Sequence, residues 1–178
     1  MQRILLFGDD YGIPDLLEQV PKTSIIALIA AGNRPQYHAP LMACAQHLAA
    51  PLLVQPSIKN APAYQHFLDQ LRALQPDSLL CHSYAMLLRA GILACVNGRA
   101  FNVHAALLPR NRGPNPIQWA LIHGDTTTGV TLHVMDEDFD SGPIIAQQEV
   151  PIANDDTRVT LNDRIRVQTR TFLANNIP

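Results

Sequence analysis

The chain has 178 residues, of which 47% are hydrophobic and 16% are charged, and its formal net charge is −2. This composition is that of an ordinary globular domain, and the slight negative charge argues against a dedicated nucleic-acid-binding surface. No apolar run approaches the roughly 18 residues that a membrane span needs. We therefore expect one cytoplasmic domain over residues 1–178, with its three cysteines present as reduced thiols.

The first half of the chain alternates between strand-like and helix-like segments. Short apolar runs at Arg3–Phe7, Ser24–Ala30 and Ser78–His82 predict buried strands, and "PLLVQP" predicts another short one. Helical spacing of apolar residues separates these strands, most clearly at Ala63–Gln75. The order predicts an α/β fold, a Rossmann-like and mostly parallel sheet with helices on both faces.

The second half begins with a predicted strand at Arg99–His104, followed by a loop rich in proline, glycine and arginine. A helix is expected at Pro116–Gly124, and the alternation at Thr128–Asp136 is typical of a half-exposed strand. A further strand is expected at Pro143–Ile152. The chain then enters an amphipathic helix whose first turn can be capped by Asp155–Thr157.

Several common motifs are missing from the sequence. It contains no GxSxG nucleophile elbow, no GxxxxGK(S/T) phosphate loop and no HxxxH or HxH pair, so we expect no metal site. The turn "FGDDYG" after the first strand lacks the GxGxxG spacing of a dinucleotide site. Most histidines are assigned to solvated or structural positions, including His133 within a strand.

Asn102 and His104 stand two residues apart at the end of a predicted strand, so their side chains point to the same face. Ligands of open parallel sheets bind beyond the carboxyl ends of strands. An asparagine amide can donate to a developing oxyanion, and a histidine can exchange a proton near neutral pH. The acidic loop 136–140 could supply a carboxylate to orient the imidazole. Spacing alone leaves open an active site or an ordinary strand-end histidine beside an acidic turn, and favours the latter.

The stretches "NVHAALLPRNRGPNP" and "TGVTLHVMDEDFDSGPIIAQQEVPI" resemble the folate-dependent formyltransferases. This family includes glycinamide ribonucleotide and methionyl-tRNA formyltransferases, amino-sugar N-formyltransferases and the formylation domains of peptide synthetases. Its signature of N-x-H, S/A-L-L-P, K/R-G and a later D-x-G occurs here in order, and the similarity extends from Arg3 to about Phe172. The resemblance implies the formyltransferase fold and 10-formyltetrahydrofolate as the formyl donor, with no metal.

Carried over onto the matching positions, the resemblance implies a catalytic trio of Asn102, His104 and Asp140. Asp140 is chosen because it alone occupies the aspartate position of the D-x-G motif, in "DSG". Asn102, together with a protonated His104, would stabilise the oxyanion, and His104 would move a proton from the attacking amine to the departing folate nitrogen. Asp140 would hold the imidazole and an ordered water.

The resemblance also implies where the folate binds. The pterin would insert between the segment "SYAMLL" (Ser83–Leu88) and the acidic loop "DEDFDSG". Ala106 departs from the serine that is commoner in the family, which removes a hydroxyl but keeps the backbone contacts. The predicted folate contacts are Ala85, Met86, Leu87, Leu88, Ala106, Leu107, Leu108, Pro109, Asp136 and Asp138.

The amine acceptor is less defined. The turn "FGDDYGIPD" lacks the phosphate loop of glycinamide ribonucleotide enzymes, and its paired aspartates would repel a phosphate. The transfer-RNA enzymes add a C-terminal barrel and a basic character, neither of which we expect here. Trp119 in "RGPNPIQWA" resembles the amino-sugar enzymes and the synthetase formylation domains, although it could equally pack its helix onto the core.

The preferred interpretation is an N-formyltransferase whose acceptor is a small or carrier-bound primary amine, either an amino-sugar nucleotide or an aminoacyl group. Neither a nucleic acid nor a membrane is expected as a partner. One alternative is a methionyl-tRNA formyltransferase-like enzyme without its C-terminal domain. The other is a formyltetrahydrofolate hydrolase or folate-binding relative.

Overall fold

A computed structural model of the protein describes residues 2–9 and 11–176, and Asp10 of the predicted first turn lies outside them. The chain forms two compact units, an N-terminal unit that ends at Phe101 and a C-terminal unit that begins at Asn102. The helices and strands are β1 (Ile4–Gly8), α1 (Gly12–Leu17), β2 (Ile25–Ala31), α2 (His38–Leu48), β3 (Leu52–Gln55), α3 (Ala61–Ala73), β4 (Ser78–His82), α4 (Ala90–Leu93), β5 (Ala100–His104), α5 (Pro116–Ile122), β6 (Thr127–Val134), β7 (Ile144–Pro151) and α6 (Arg158–Asn176).

The N-terminal unit contains a parallel sheet with the strand order β3-β2-β1-β4. Every residue of β1 and β4 is buried, and β2 is buried except at Ile26. Because successive residues of a strand face opposite sides, both faces of these strands are covered. Helix α1 contacts β1 and β4, and α2 contacts β2 and β3. This double burial explains why the strands are continuous apolar runs in the sequence.

The C-terminal unit contains the antiparallel pair β6 and β7, with Thr128 opposite Val150 and Thr131 opposite Gln147. Helix α6 contacts both strands and α5. Its first turn is capped as the sequence predicts, since the Thr157 hydroxyl accepts a hydrogen bond from the amide of Thr160 at 3.2 Å. One face of α6 is buried and carries Leu161, Ile165, Thr169, Phe172 and Leu173.

The prediction that β6 is half exposed was wrong. Residues 128–133 of β6 are all buried, whereas β7 is exposed at most positions. The alternation in β6 instead comes from buried polar side chains, of which Thr131 and His133 have hydrogen-bond partners. Thr131, for example, donates its hydroxyl hydrogen to the carbonyl oxygen of Ala106 at 2.6 Å.

The predicted α/β fold class is confirmed. Strand positions agree with the sequence-based expectation to within one or two residues, and Ser78–His82 agrees at both ends. The short helix α4 was not predicted, because four residues are too few for a helical pattern to show. Within residues 2–9 and 11–176, no helix is both long enough and apolar enough to cross a membrane.

Candidate active site

The structure brings Asn102, His104 and Asp140 together within the C-terminal unit. One carboxylate oxygen of Asp140 accepts a hydrogen bond from the Asn102 amide nitrogen at 3.2 Å. The other oxygen lies 3.4 Å from Nδ1 of His104. Asn102 and His104 project from the end of β5, and Asp140 belongs to the loop between β6 and β7. The sequence-based selection of these residues therefore yields one contiguous cluster, while their catalytic roles stay a prediction.

His133 joins this cluster, which the sequence interpretation missed. Its Nε2 lies 3.3 Å from the Asp140 carboxylate and 3.1 Å from the Asn102 amide nitrogen. Its Nδ1 donates to the carbonyl of Val134 at 2.9 Å, because a carbonyl can only accept. The side chain is 2% exposed. The position of His133 near the end of the strand before the acidic loop was the available signal.

The loop between β5 and α5 closes over the trio through its backbone. The carbonyl oxygen of Asn111 accepts a hydrogen bond from Nε2 of His104 at 2.8 Å. The amide of Gly113 donates to Asp140 at 2.8 Å. Asn111, Gly113 and Asp140 all have left-handed backbone angles, with φ of 53°, 80° and 49°. Glycine adopts this region freely and asparagine and aspartate tolerate it, which explains why these residue types occur here.

Asp125 fixes the same loop from the end of α5. Its nearly buried carboxylate pairs with the guanidinium of Arg110 at 2.5 Å and accepts from the side-chain amide of Asn111 at 3.3 Å. Asn111 is therefore held through its side chain by Asp125 and through its carbonyl by His104. This arrangement limits the rotation of the imidazole.

The hydrogen-bond partners assign the protons of His104. Because the Asn111 carbonyl can only accept, Nε2 carries a hydrogen, and in the neutral ring the lone pair lies on Nδ1 beside Asp140. Burial lowers the pKa of His104 below its ordinary value of 6.5, although the charge of Asp140 and the hydrogen bond to Asn111 act in the opposite direction. At neutral pH the ring is thus a neutral base.

Asp140 is a carboxylate under the same conditions. Burial acts to raise its pKa, but the interaction with His133, the charge of His104 and the hydrogen bond from the Gly113 amide outweigh it, so the pKa falls below its ordinary value of 3.8. A negative charge 3.4 Å from Nδ1 stabilises an imidazolium when His104 accepts a proton.

The D-S-G turn requires glycine at its third position. A Cβ atom on Gly142 would overlap the carbonyl oxygen of Val134. The turn is further tied to Asp136, which accepts hydrogen bonds from the Ser141 hydroxyl at 2.7 Å and the Asp138 amide at 3.2 Å. Both predicted folate contacts of this loop, Asp136 and Asp138, are exposed.

The predicted folate-contacting turn of the C-terminal unit, Ala106–Pro109, is pinned to the two strands of that unit. The Thr131 hydroxyl accepts from the amide of Leu108 at 3.2 Å and donates to the carbonyl of Ala106. Gln147 donates to the carbonyl of Leu108 at 2.9 Å. Ala106 and Leu108 are buried, and Leu107 is half-buried.

The predicted contacts Ala85, Met86, Leu87 and Leu88 lie in the N-terminal unit, just after β4. Ala85, Met86 and Leu87 are half-buried, and Leu88 is buried. A cavity of about 220 Å³ is lined by three of these residues, and Gln55, Tyr64 and Arg89 contribute further to its wall. None of the described residues form a group of three or more His, Cys, Asp or Glu side chains that could hold a metal ion.

Residues 4–177 match the family model of formyl transferases. The chain belongs to the formyl transferase family. The formyltransferase resemblance inferred from the N-x-H and D-x-G motifs is thereby confirmed.

Curated relatives of this chain include a methionyl-tRNA formyltransferase from Myxococcus xanthus (strain DK1622). It is 32% identical over 183 residues, which cover 99% of this chain and 57% of the relative. A methionyl-tRNA formyltransferase from Xylella fastidiosa (strain M12) is 31% identical, with 98% and 58% of the two chains covered. The chain thus spans less than two thirds of the length of these relatives.

Solved structures with a similar fold include phosphoribosylglycinamide formyltransferase from Bacillus halodurans. It superimposes with a TM-score of 0.82 at 28% identity and covers 97% of this chain and 92% of its own. Glycinamide ribonucleotide transformylase 1 from Geobacillus kaustophilus gives a TM-score of 0.82 at 27% identity, with 98% and 95% covered. These similarities support the formyltransferase fold across nearly the whole chain.

Proposed function

We propose that this formyltransferase moves a formyl group from 10-formyltetrahydrofolate to a primary amine. The observation that carries the proposal is the cluster in which the Asp140 carboxylate contacts both the Asn102 amide and the His104 imidazole. The cluster combines a hydrogen-bond donor, a neutral base and a fixed negative charge, which are the groups that acyl transfer to an amine needs.

The folate supplies a formyl group attached to a nitrogen that leaves once it has received a proton. His104 accepts the proton that the attacking amine loses, through the lone pair on Nδ1, and later returns it to the leaving nitrogen, directly or through water. Asp140 stabilises the imidazolium that exists between these two proton transfers. No net proton is gained or lost by the protein.

Asn102 is the proposed donor to the oxyanion that develops on the formyl oxygen. Its two N–H groups are directed to Asp140 and to Nε2 of His133. One of these bonds is exchanged for the formyl oxygen when the substrate binds. Loss of one such donor typically lowers the rate by about 100- to 1000-fold.

The proposed folate contacts come in two groups. In the N-terminal unit they are the segment Ala85–Leu88. In the C-terminal unit they are Ala106–Pro109, Asp136 and Asp138. Ala106 and Leu108 already use backbone groups within their unit, so we propose that this turn contacts folate mainly through the half-buried Leu107 and the exposed Pro109.

For the acceptor, we propose the α-amino group of an aminoacyl ester. The curated relatives named above are methionyl-tRNA formyltransferases, and an aminoacyl group on a carrier presents the same amine. Trp119 is 47% exposed and stacks on His123 at a centroid distance of 5.6 Å, so it is not a core residue and is accessible to an acceptor. The formal charge of −2 favours a carrier other than nucleic acid.

The test uses radiolabelled 10-formyltetrahydrofolate with four acceptors in parallel: methionyl-tRNA, an aminoacyl carrier protein, an amino-sugar nucleotide and glycinamide ribonucleotide. We expect label on an aminoacyl acceptor, and none with His104→Ala. Arg158→Ala, an exposed change at the start of α6, is the matched control and should retain full transfer. Label on the amino sugar alone would refute the aminoacyl proposal. Release of labelled formate without any amine would show a hydrolase instead.

A further inference from the structure

Asp9 follows β1 and is fully buried, yet it carries an ionisable carboxyl group. One carboxylate oxygen accepts from the amide of Ala31 at 3.0 Å, and the other accepts from the amide of Ala85 at 3.1 Å. Because β1 lies between β2 and β4, one side chain ties together the ends of both neighbouring strands. The backbone amide of Asp9 also donates to the carbonyl of Ser83 at 3.0 Å.

Other polar side chains fix the same segment, Ser83–Leu88. Asn33 donates to the carbonyl of Ala85 at 3.4 Å, and Gln55 donates to the carbonyl of Leu87 at 3.3 Å. The Tyr84 hydroxyl donates to the side-chain oxygen of Gln55 at 2.8 Å. Both backbone groups of Ala85 and the carbonyl of Leu87 are therefore hydrogen-bonded within the protein.

The backbone groups of Met86 and Leu88, in contrast to those neighbours, are not anchored by hydrogen bonds within residues 2–9 and 11–176. Among the described residues, no hydrogen bond engages the backbone amide or carbonyl of either one. The segment thus alternates between anchored and available backbone groups. Ala85, predicted from the sequence as a folate contact, is an anchor in this arrangement.

Burial disfavours the ionised form of the Asp9 carboxyl group. Burial raises its pKa above the ordinary value of 3.8, although the amides of Ala31 and Ala85 and the positive charges of Arg34 and His38 oppose the shift. A raised pKa in the folded state means that stability decreases as the pH rises from 3.8 through the folded value. At neutral pH the ionised Asp9 therefore lowers stability, which indicates that fold stability alone does not account for an aspartate at this position.

We propose that Asp9 is a positioning residue for the folate, which it serves by holding the Ser83–Leu88 backbone in the shape that leaves the backbone groups of Met86 and Leu88 available to the pterin. This inference rests on the proposed function, because it assumes that the segment binds folate. The Asp9 side chain reaches this segment through the amide of Ala85, and the Asp9 backbone reaches it through the carbonyl of Ser83.

The test is Asp9→Asn, with tetrahydrofolate as the probe. An asparagine has one oxygen and one NH₂ group, so it can accept from only one of the two amides, and its NH₂ would face the other amide's hydrogen. We expect the Kd for tetrahydrofolate, measured by calorimetry, to rise by about 10- to 100-fold. Hydrogen exchange at the Ala85 amide should accelerate, and the maximal transfer rate should change by less than about threefold.

Asp77→Asn is the matched control, since Asp77 lies beside the opposite ends of β1 and β4. Its exposed carboxylate accepts from the amide of Arg3 at 2.8 Å. A purely structural contribution would affect stability in either variant without altering folate affinity.

If Asp9→Asn does not fold, Tyr84→Phe removes one anchoring hydroxyl, and we expect a severalfold rise in Kd from it.

The outcomes separate the two proposals. If the wild-type protein does not bind tetrahydrofolate, the proposed function itself fails. If the wild type binds and Asp9→Asn has the same Kd with unchanged exchange at Ala85, only the positioning role is overturned. Where Asp9→Asn is insoluble, an unchanged Kd in Tyr84→Phe would show that the anchoring of this segment does not determine folate affinity, which overturns the positioning role of Asp9.

Discussion

Asp140→Asn removes the negative charge beside His104 with almost no change in shape. The asparagine oxygen can keep the hydrogen bond from Gly113, and its NH₂ group can donate to Nε2 of His133, whose hydrogen is on Nδ1. Only the hydrogen bond from the Asn102 amide has no replacement, because two NH₂ groups then face each other. Folding should therefore be preserved.

The kinetic effect follows from the distance between Asp140 and His104. Two unit charges 3.4 Å apart interact with about 5 kcal/mol at an effective dielectric constant of about 20. That interaction exists only while His104 is protonated, so it stabilises the state between the two proton transfers. Since about 1.4 kcal/mol is a factor of ten, we expect transfer to slow by roughly 100- to 1000-fold after partial screening by solvent.

The assay is single-turnover formyl transfer with saturating folate donor and acceptor, together with urea denaturation of the same preparations. Asp155→Asn makes the same chemical change at an exposed site of the C-terminal unit and should behave as the wild type. Turnover of Asp140→Asn within threefold of the wild type would refute the electrostatic role of Asp140. A large loss of stability would show that the carboxylate acts mainly as a structural acceptor.

Three further predictions concern the same unit. Gly142→Ala should lower the free energy of unfolding by about 1–3 kcal/mol, because its Cβ overlaps the Val134 carbonyl, and an unchanged urea midpoint would contradict this. Thr131→Val should cost about 1–3 kcal/mol by leaving the Ala106 carbonyl and Leu108 amide without their partner, and equal stability to wild type would show that both groups find others. His104 should titrate below pH 6.5 by NMR, so its contribution to stability is lost as the pH falls below 6.5, and a higher pKa would overturn its assignment as a neutral base.

The fold was largely predictable because burial on both faces leaves a strong local signal. Strands β1, β2 and β4 are apolar through most of their length, and each is bounded by turn residues. The burial of β6 was not predictable in the same way. Polar residues in a strand suggest a solvent-facing side, but Thr131 and His133 are buried against hydrogen-bond partners that lie far away in the sequence.

The side chains of the trio could be predicted from the sequence, because they occupy positions of a family signature. The backbone contacts made by the loops of the site could not. Asn102, His104 and Asp140 each occupy a position of the family signature, and the structure brings them together. The Asn111 carbonyl that assigns the His104 tautomer is a backbone group, so no residue type reveals it. The internal hydrogen bonds of Ala85 are hidden for the same reason.

The most direct test of formyl transfer by His104 follows the formyl label in a single reaction of the wild-type protein with radiolabelled 10-formyltetrahydrofolate and an aminoacyl acceptor. We predict that the label appears on the amine as an N-formyl group, and that His104→Ala abolishes its appearance. Label found only in free formate, or transferred at the same rate by His104→Ala, would contradict this prediction.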